Sequence, residues 1–143
     1  VDMSNTYLNW AKANLALNSS SGEHEFVQAD CLEWLETESK QPNPRQYDLI
    51  FLDPPTFSNS KRMADMFDIQ KDYVLLIKQA LALLAAKGTI YFSTNFRRFV
   101  FDQDAFQSLK IDDITAKTIP EDFGRNPKIH YCWSIQREIN GRF

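Results

Sequence analysis

Three aspartates recur along the chain at intervals that suit a shared binding site. Asp2 lies in Val-Asp-Met-Ser, Asp30 in Val-Gln-Ala-Asp-Cys and Asp53 in Phe-Leu-Asp-Pro-Pro, so that 28 and 23 residues separate them. Each interval matches about one strand-helix-strand step. Because open α/β sheets bind ligands at the carboxyl ends of their strands, the three carboxylates are predicted to lie together along that edge.

The first two aspartates have the chemistry to hold a nucleoside. A carboxylate offers two acceptor oxygens, so Asp2 can accept hydrogen bonds from both hydroxyls of a ribose. Asp30 can accept from an exocyclic adenine amine, while the backbone N–H of Cys31 serves a ring nitrogen. The alternative is that each aspartate only caps the helix or turn that follows it. Three aspartates in phase with the strand ends favour the binding site.

The segment Asp53-Pro54-Pro55-Thr56-Phe57 predicts a rigid rim at the same edge. Two consecutive prolines restrict the backbone and remove two N–H donors. A flat nucleobase can rest against such a rim or stack on the phenylalanine. The alternative is a simple turn that ends the strand, which needs one proline and no aromatic residue.

Contacts to a nucleic acid must depend on local groups, because a net charge of −3 gives the chain no overall positive field. Lys61 and Arg62 follow the rim, and Asn95, Arg97 and Arg98 follow a later strand. Arginine presents a planar fork of donors that suits phosphate. These five residues are the predicted RNA contacts, with exposed polar surface as the alternative reading.

Strands and helices alternate along the chain, which predicts an α/β fold with a doubly wound sheet in a single domain, residues 1–143. The apolar run 49–52 predicts a strand covered on both faces, and Lys87-Gly88 is interpreted as the end of the longest helix. One helix is predicted to begin at Ser4 or Asn5, a short helix to cover Cys31 to Glu36, and a long helix to cover Asp68 to Leu84. The predicted strands are Glu25 to Gln28, Tyr47 to Asp53, Thr89 to Ser93, Ile111 to Thr118 and Ile129 to Gln136.

Four segments resemble, in order and spacing, the carboxy-terminal methyltransferase half of the bifunctional ribosomal RNA guanine methyltransferases K/L. They are Val1–Ser4, Gln28–Leu35, Asp48–Met63 and Ile129–Trp133, and Asp48–Met63 is the most specific. The resemblance implies a Rossmann-like class I methyltransferase fold that uses S-adenosyl-L-methionine (SAM). It also implies methyl transfer to N7 of a guanine in 23S ribosomal RNA, while the other half of the family's protein methylates N2 of another guanine.

The resemblance also implies roles for individual residues. Asp2 is expected to contact the ribose of SAM, and Met3, Asp30 and Cys31 its adenine. The residues from Asp53 to Phe57 are expected to form the rim for the target base. Because guanine N7 carries a lone pair and no proton, no general base is needed, and orientation supplies most of the rate. His24 and His130 are accordingly interpreted as surface or packing residues.

Two other enzyme activities are weighed against this one. Methylation of cytosine carbon needs a cysteine nucleophile, and similar sequences have it after the strand read here as Thr89 to Ser93, where this chain has Ser93-Thr94-Asn95-Phe96. We therefore do not expect cytosine methylation; covalent trapping by 5-fluorocytosine RNA would overturn this.

Amino-methylation of adenine in DNA or RNA remains an alternative, although those enzymes usually have an aromatic residue directly after the prolines. A non-catalytic RNA-binding module is a third possibility.

The family's first strand and its glycine-containing loop would precede Val1, and the four glycines of this chain form no GxG cluster. We therefore expect a truncated fold, with weak SAM binding and no activity for these 143 residues alone. The strand Leu49 to Leu52 should then have an unpaired apolar edge that favours a homodimer or a strand-swapped assembly.

The remaining features predict a soluble cytoplasmic protein. The two cysteines, Cys31 and Cys132, are far apart and belong to no zinc-ligand motif, so no metal is expected and reduced thiols are predicted. The amino terminus lacks the layout of a secretory signal. No run approaches the roughly 20 apolar residues that cross a bilayer.

Overall fold

The computed structural model of the chain describes residues 1–18, 22–58 and 66–138. Its α-helices are α1 (Asn5–Leu17), α2 (Cys31–Ser39), α3 (Ile69–Ala82) and the short α4 (Thr115–Thr118). Its strands are β1 (Tyr47–Leu52), β2 (Phe57–Ser58), β3 (Phe67–Asp68), β4 (Leu84–Thr94), β5 (Leu109–Asp113) and β6 (Tyr131–Arg137). Single 3-10 turns occupy Gln103–Phe106 and Glu121–Phe123.

The main sheet has the strand order β1-β4-β6-β5. β1 runs parallel to β4, with Leu52 opposite Phe92, whereas β6 is antiparallel to both β4 and β5. The predicted α/β fold is therefore confirmed, with one antiparallel strand. Because β1 and β4 are parallel, they finish at one edge of the sheet, which brings Asp53 and Asn95 to the same place.

The helix α3 packs its apolar face into the core beside this edge. The Asp68 carboxylate caps the helix by accepting from the backbone N–H of Gln70 at 3.0 Å. The hydroxyl of Tyr73, which is buried, accepts from the backbone N–H of Asp102 at 2.8 Å. The ring of Tyr73 contacts Phe92 and Phe99, and Phe92 contacts Trp133 on β6. These aromatic contacts connect α3 to the main sheet near the ends of its strands. The rings are Tyr73, Phe92, Phe99, Phe101, Phe106 and Trp133.

The amino-terminal segment forms its own small unit beside the main sheet. Ser4 caps α1, and its hydroxyl accepts from the backbone N–H of Tyr7. Asp2 pairs with Gln28 in an isolated parallel bridge. The predicted strand Glu25 to Gln28 is therefore wrong in extent, because its pairing with Asp2 supplies a single bridge and no continuous ladder.

The longest helix ends earlier than predicted. It finishes at Ala82, and Leu84 already begins β4, so Lys87-Gly88 lies inside a strand. A side chain at Gly88 would bring a Cβ to 2.9 Å from the carbonyl oxygen of Tyr47. The glycine therefore permits the close approach of β1 to β4 and is not a helix terminator.

The predicted strand Ile111 to Thr118 is also wrong in its second half. The strand β5 ends at Asp113, whose carboxylate accepts from the backbone N–H of Thr115 at 2.9 Å. Such a local side-chain bond competes with the strand ladder, and the chain turns into α4. The predicted strand Ile129 to Gln136 is confirmed as β6 with slightly shifted ends.

The strand β1 lies at the edge of the main sheet and is covered on one face only. Leu52 is buried, but Leu49 and Phe51, which point to the other face, are 62% and 63% exposed. The prediction that this run is covered on both faces is thus wrong for the described residues, because nothing in them packs on that face. Among the described helices, none has the length and apolar character needed to cross a bilayer.

Candidate functional site

All three aspartates line one cavity of about 530 Å³ at the carboxyl edge of the sheet. Asp2 and Asp30 belong to one wall, with Met3 and Cys31 beside them, and Asp53 belongs to the other. The prediction that the three carboxylates share a site agrees with this arrangement. Only Asp53 follows a strand of the main sheet directly, since the chain near Asp2 and Asp30 forms a single bridge.

The first wall is built around the bridge at Asp2. Its backbone N–H donates to the carbonyl oxygen of Val27 at 3.0 Å, and the N–H of Ala29 donates back to the Asp2 carbonyl at 3.2 Å. One carboxylate oxygen of Asp2 accepts from the backbone N–H of Ser4 at 2.6 Å. The carboxylate is therefore held by its own turn while it still lines the cavity.

Asp30 caps the helix α2 and also lines the cavity. Its Oδ1 caps α2 by accepting from the backbone N–H groups of Leu32 and Glu33, at 2.9 and 3.1 Å. Because both bonds use one oxygen, the other oxygen retains acceptor capacity. The backbone N–H of Cys31 is the first of the helix and has no acceptor within it. Burial raises the pKa of the Cys31 thiol.

The second wall is the rim that follows β1. Asp53, Pro54 and Pro55 line the cavity. The hydroxyl of Ser93, on the neighbouring strand β4, donates to Asp53 Oδ1 at 2.6 Å. Ser93 is only 2% exposed, so this contact connects the rim to the core of the sheet.

The remaining rim residues lie beside the cavity, outside its lining. The Thr56 hydroxyl donates to Oδ1 of Asn95 at 2.9 Å, and Asn95 itself lines the cavity. Phe57 is 53% exposed and meets Phe96 edge to face, with 6.2 Å between ring centroids. The guanidinium of Arg98 lies over the other aromatic ring, 6.0 Å from the Phe96 centroid. The exposed ring of Phe57, the half-buried ring of Phe96 and one cation thus lie beside the rim.

The predicted cations divide into described and undescribed groups. Arg97 and Arg98 are exposed at the end of β4, and the Arg97 carbonyl accepts from the Tyr131 hydroxyl at 3.2 Å. Lys61 and Arg62 lie outside the described residues. The structure therefore places Asn95 in the cavity lining and both arginines outside it.

Sequence reasoning missed several residues of the site. Ser93 drew attention only as the residue standing where a cysteine nucleophile would be, and its bond to Asp53 crosses between strands 40 residues apart. Tyr7 and Phe51 also line the cavity. The helical spacing of α1 predicts Tyr7 on its apolar face, yet this residue is exposed. Side chains alternate between the two faces of a strand, so Phe51 must point to the face opposite the buried Leu52. This alternation is the sequence feature that could have placed Phe51 in the site.

The other titratable residues contribute little to this cavity. His130 lies elsewhere, where its Nε2 is 3.0 Å from the Thr118 hydroxyl, and His24 does not line the cavity. Cys132 is buried in β6, and burial raises the pKa of its thiol. Within residues 1–18, 22–58 and 66–138, no cluster of three or more His, Cys, Asp or Glu side chains could hold a metal ion.

Solved structures with this fold are methyltransferases by name. SMU.776, a candidate methyltransferase solved with SAH, superimposes with a TM-score of 0.74 over 93% of this chain and 37% of that one, at 23% identity. The SAM-dependent methyltransferase from Agrobacterium tumefaciens gives 0.71 over 94% of this chain and 47% of that one, at 15% identity. The chain therefore has the fold of the class I SAM-dependent methyltransferases.

The curated relatives share one more specific name. The chain is 56% identical over 137 residues to the ribosomal RNA large subunit methyltransferase K/L of Cellvibrio japonicus, covering 95% of this chain and 18% of that protein. The K/L protein of Pseudoalteromonas atlantica is 55% identical over 137 residues, covering 94% of this chain and 19% of that protein. The chain is thus similar to a segment of the K/L methyltransferases and spans about a fifth of their length. No protein-family model matches it.

Proposed function

We propose that this chain is the cofactor- and base-binding segment of an enzyme that transfers a methyl group from SAM to N7 of a guanine in 23S ribosomal RNA. The observation that carries the proposal is the cavity in which a pair of carboxylates, Asp2 and Asp30, faces the rim at Asp53. The relatives, named for methylation of large-subunit ribosomal RNA, support the substrate.

The first wall has donors and acceptors that fit the nucleoside part of SAM. The Asp2 carboxylate accepts from the two ribose hydroxyls, and Ser4 holds it in place. The adenine amine donates to Asp30, while the N–H of Cys31 donates to a ring nitrogen. A volume of about 530 Å³ is within the usual range for small-molecule sites. When bound, SAM supplies the electrophilic methyl group.

The second wall positions the base. Guanine N7 has an exposed lone pair, so the protein has no proton to remove and acts by holding the nitrogen in line with the methyl group. Asp53, Pro54 and Pro55 form a rim without N–H donors at the prolines. Phe57, exposed beside the rim, offers a stacking surface for the base.

The RNA contacts that we propose surround this rim. Asn95 lines the cavity, and Arg97 and Arg98 are exposed next to it, where their guanidinium groups can pair with phosphates. Lys61 and Arg62 are proposed on sequence grounds alone. We place the reaction in the cytoplasm, the compartment of ribosome synthesis.

The proposal is tested by identifying the methylated nucleoside. The full-length protein that contains this segment is incubated with SAM and unmodified 23S RNA, and the digested product is examined by mass spectrometry. We expect N7-methylguanosine, with the rate falling about 100-fold in Asp53→Ala through loss of base orientation. Asp48→Ala, an exposed change on β1 outside the cavity lining, is the matched control.

Other products would support other functions. N6-methyladenosine would establish the adenine amino-methyltransferase, which an Asp-Pro-Pro rim also suits. RNA binding without any methyl transfer by the full-length protein would indicate a non-catalytic module. Either result would contradict the proposed guanine N7 activity.

We further propose that these 143 residues alone bind SAM weakly and are inactive. No glycine in the described ranges lines the cavity, so the backbone approach expected at the amino-acid end of SAM is not made by them. The exposed Leu49 and Phe51 at the sheet edge support self-association of this segment. Micromolar affinity by calorimetry would refute the first proposal, and a monomer in gel filtration at high concentration would refute the second.

A further inference from the structure

Two side-chain hydrogen bonds connect the rim to the end of β4. The Ser93 hydroxyl donates to Asp53 Oδ1 at 2.6 Å, and the Thr56 hydroxyl donates to Asn95 Oδ1 at 2.9 Å. In each pair the acceptor lines the cavity while its hydroxyl partner lies outside the lining. The hydroxyls therefore act on the site through the residues that they hold.

The first bond determines how Asp53 faces the cavity. Ser93 is 2% exposed and lies next to Asp53 because the paired residues Leu52 and Phe92 precede them on the parallel strands β1 and β4. A hydroxyl that donates to a carboxylate makes one of the stronger hydrogen bonds in proteins. With Oδ1 engaged, Oδ2 keeps its full capacity to accept from a ligand.

The second bond determines which end of the Asn95 amide faces away from the rim. An asparagine side chain has an oxygen that accepts and an amino group that donates. Because Oδ1 accepts from Thr56, the Nδ2 amino group is directed away from that hydroxyl. The cavity lining thus has an acceptor at Asp53 and a donor at Asn95.

We propose that Ser93 and Thr56 are positioning residues that orient Asp53 as an acceptor and Asn95 as a donor toward the target base. This inference rests on the proposed methyl transfer to guanine. Guanine carries N–H donors that match the Asp53 carboxylate and a carbonyl acceptor that matches the Asn95 amino group. The two bonds set these partners before the base arrives, so that little reorganisation is needed in the reaction.

The test compares RNA kinetics with cofactor affinity in the full-length protein. In Ser93→Ala we expect kcat to fall about 10- to 100-fold, the range for a lost hydrogen bond to a charged group. In Thr56→Val, which removes a hydrogen bond between two neutral groups, we expect kcat/KM for RNA to fall about 2- to 10-fold, and Thr56→Ser, which keeps the hydroxyl, should restore most of it. SAH affinity by calorimetry should stay within about twofold in all three, because the residues proposed to hold the nucleoside lie on the other wall.

The control is Ser134→Ala on β6, the same change on a neighbouring strand outside the cavity lining, and it should leave kcat unchanged. A wild-type kcat in Ser93→Ala would overturn the positioning role of Ser93, and a wild-type kcat/KM for RNA in Thr56→Val would overturn that of Thr56. In both cases methyl transfer by the wild-type protein would leave the proposed function intact. A parallel loss of SAH affinity would also overturn it, since it would indicate a general structural defect. A wild-type protein that transfers no methyl group would overturn the proposed function and this inference together.

Discussion

The backbone N–H of Asp2 donates to the carbonyl oxygen of Val27 over 3.0 Å, and this bond joins the two parts of the first wall of the cavity. It places Asp2 next to the chain that leads into Asp30 and α2. Two carboxylates from separate parts of the sequence thus line the same side of the cavity. The proposed roles of Asp2 and Asp30 can be tested separately, because Asp2 bonds to the Ser4 N–H in its own turn whereas Asp30 caps α2.

Changing Asp2 to asparagine should weaken SAH binding about 10- to 100-fold, since the ribose hydroxyls lose a charged acceptor. The amide oxygen of the substituted side chain would still accept from the Ser4 N–H, so the local turn should survive. Calorimetric titration of the full-length protein measures the change. Asp48→Asn is the matched control, and equal affinity in the two variants would remove Asp2 from the ribose site.

Asp30 should respond differently to substitution by asparagine and by alanine. Asparagine is as good an N-cap as aspartate, so Asp30→Asn should keep the stability of the protein, whereas Asp30→Ala should cost about 1 kcal/mol. Both changes should weaken SAH binding if the carboxylate contacts the adenine amine. Urea denaturation and calorimetry measure the two effects. Unchanged binding in both variants would leave Asp30 with its capping function only.

The Cys31 thiol should alkylate slowly at neutral pH. Burial raises its pKa above the ordinary value of 9.0, so the reactive thiolate forms only as the pH rises beyond that value. Because the folded-state pKa is the higher one, the related stability is present below about pH 9 and is lost as the pH rises further. Iodoacetamide labelling followed by mass spectrometry should show this rise, with protection of Cys31 by SAH. Fast labelling at neutral pH would contradict the prediction, and Cys31→Ser identifies the site.

Tyr73 should stabilise the core mainly through its ring. Tyr73→Phe removes the acceptor for the Asp102 N–H and should cost about 1 kcal/mol. Tyr73→Ala also removes the contacts to Phe92 and Phe99 and should cost about 3 to 5 kcal/mol. Denaturant unfolding of the 143-residue chain measures both, with Tyr91→Phe as the control. Equal costs for the two Tyr73 substitutions would contradict this division.

The sequence predicts those parts of the fold whose signals are local. α3 follows from its helical apolar spacing and from the cap at Asp68, and β1 follows from the run at Leu49 to Leu52. The three aspartates are predicted to share a site because parallel strands meet at one edge, and the cavity agrees with that prediction. Their contacts with SAM and RNA remain predictions.

Apart from the early end of β5, which follows from the local bond between Asp113 and Thr115, the failures depend on contacts distant in sequence. Gly88 reads as a helix end until the close approach of Tyr47 is known. The contacts Ser93 to Asp53 and Thr56 to Asn95 span 40 and 39 residues. No periodicity reports which hydroxyl lies beside which acceptor, because this follows from the pairing of β1 with β4.

The isolated bridge at Asp2 has a thermodynamic consequence. The amino-terminal unit and the main sheet form opposite walls of one cavity, while no ladder joins Asp2 and Gln28 to the four main strands in the described part of the chain. In the proposed function the first wall holds the nucleoside of SAM and the rim faces its methyl group, so the bound cofactor lies between the two parts. Cofactor binding should accordingly raise the melting temperature and slow amide hydrogen exchange in α1 more than in the already well-packed β4, since bound ligand has most effect on parts with the lowest local stability.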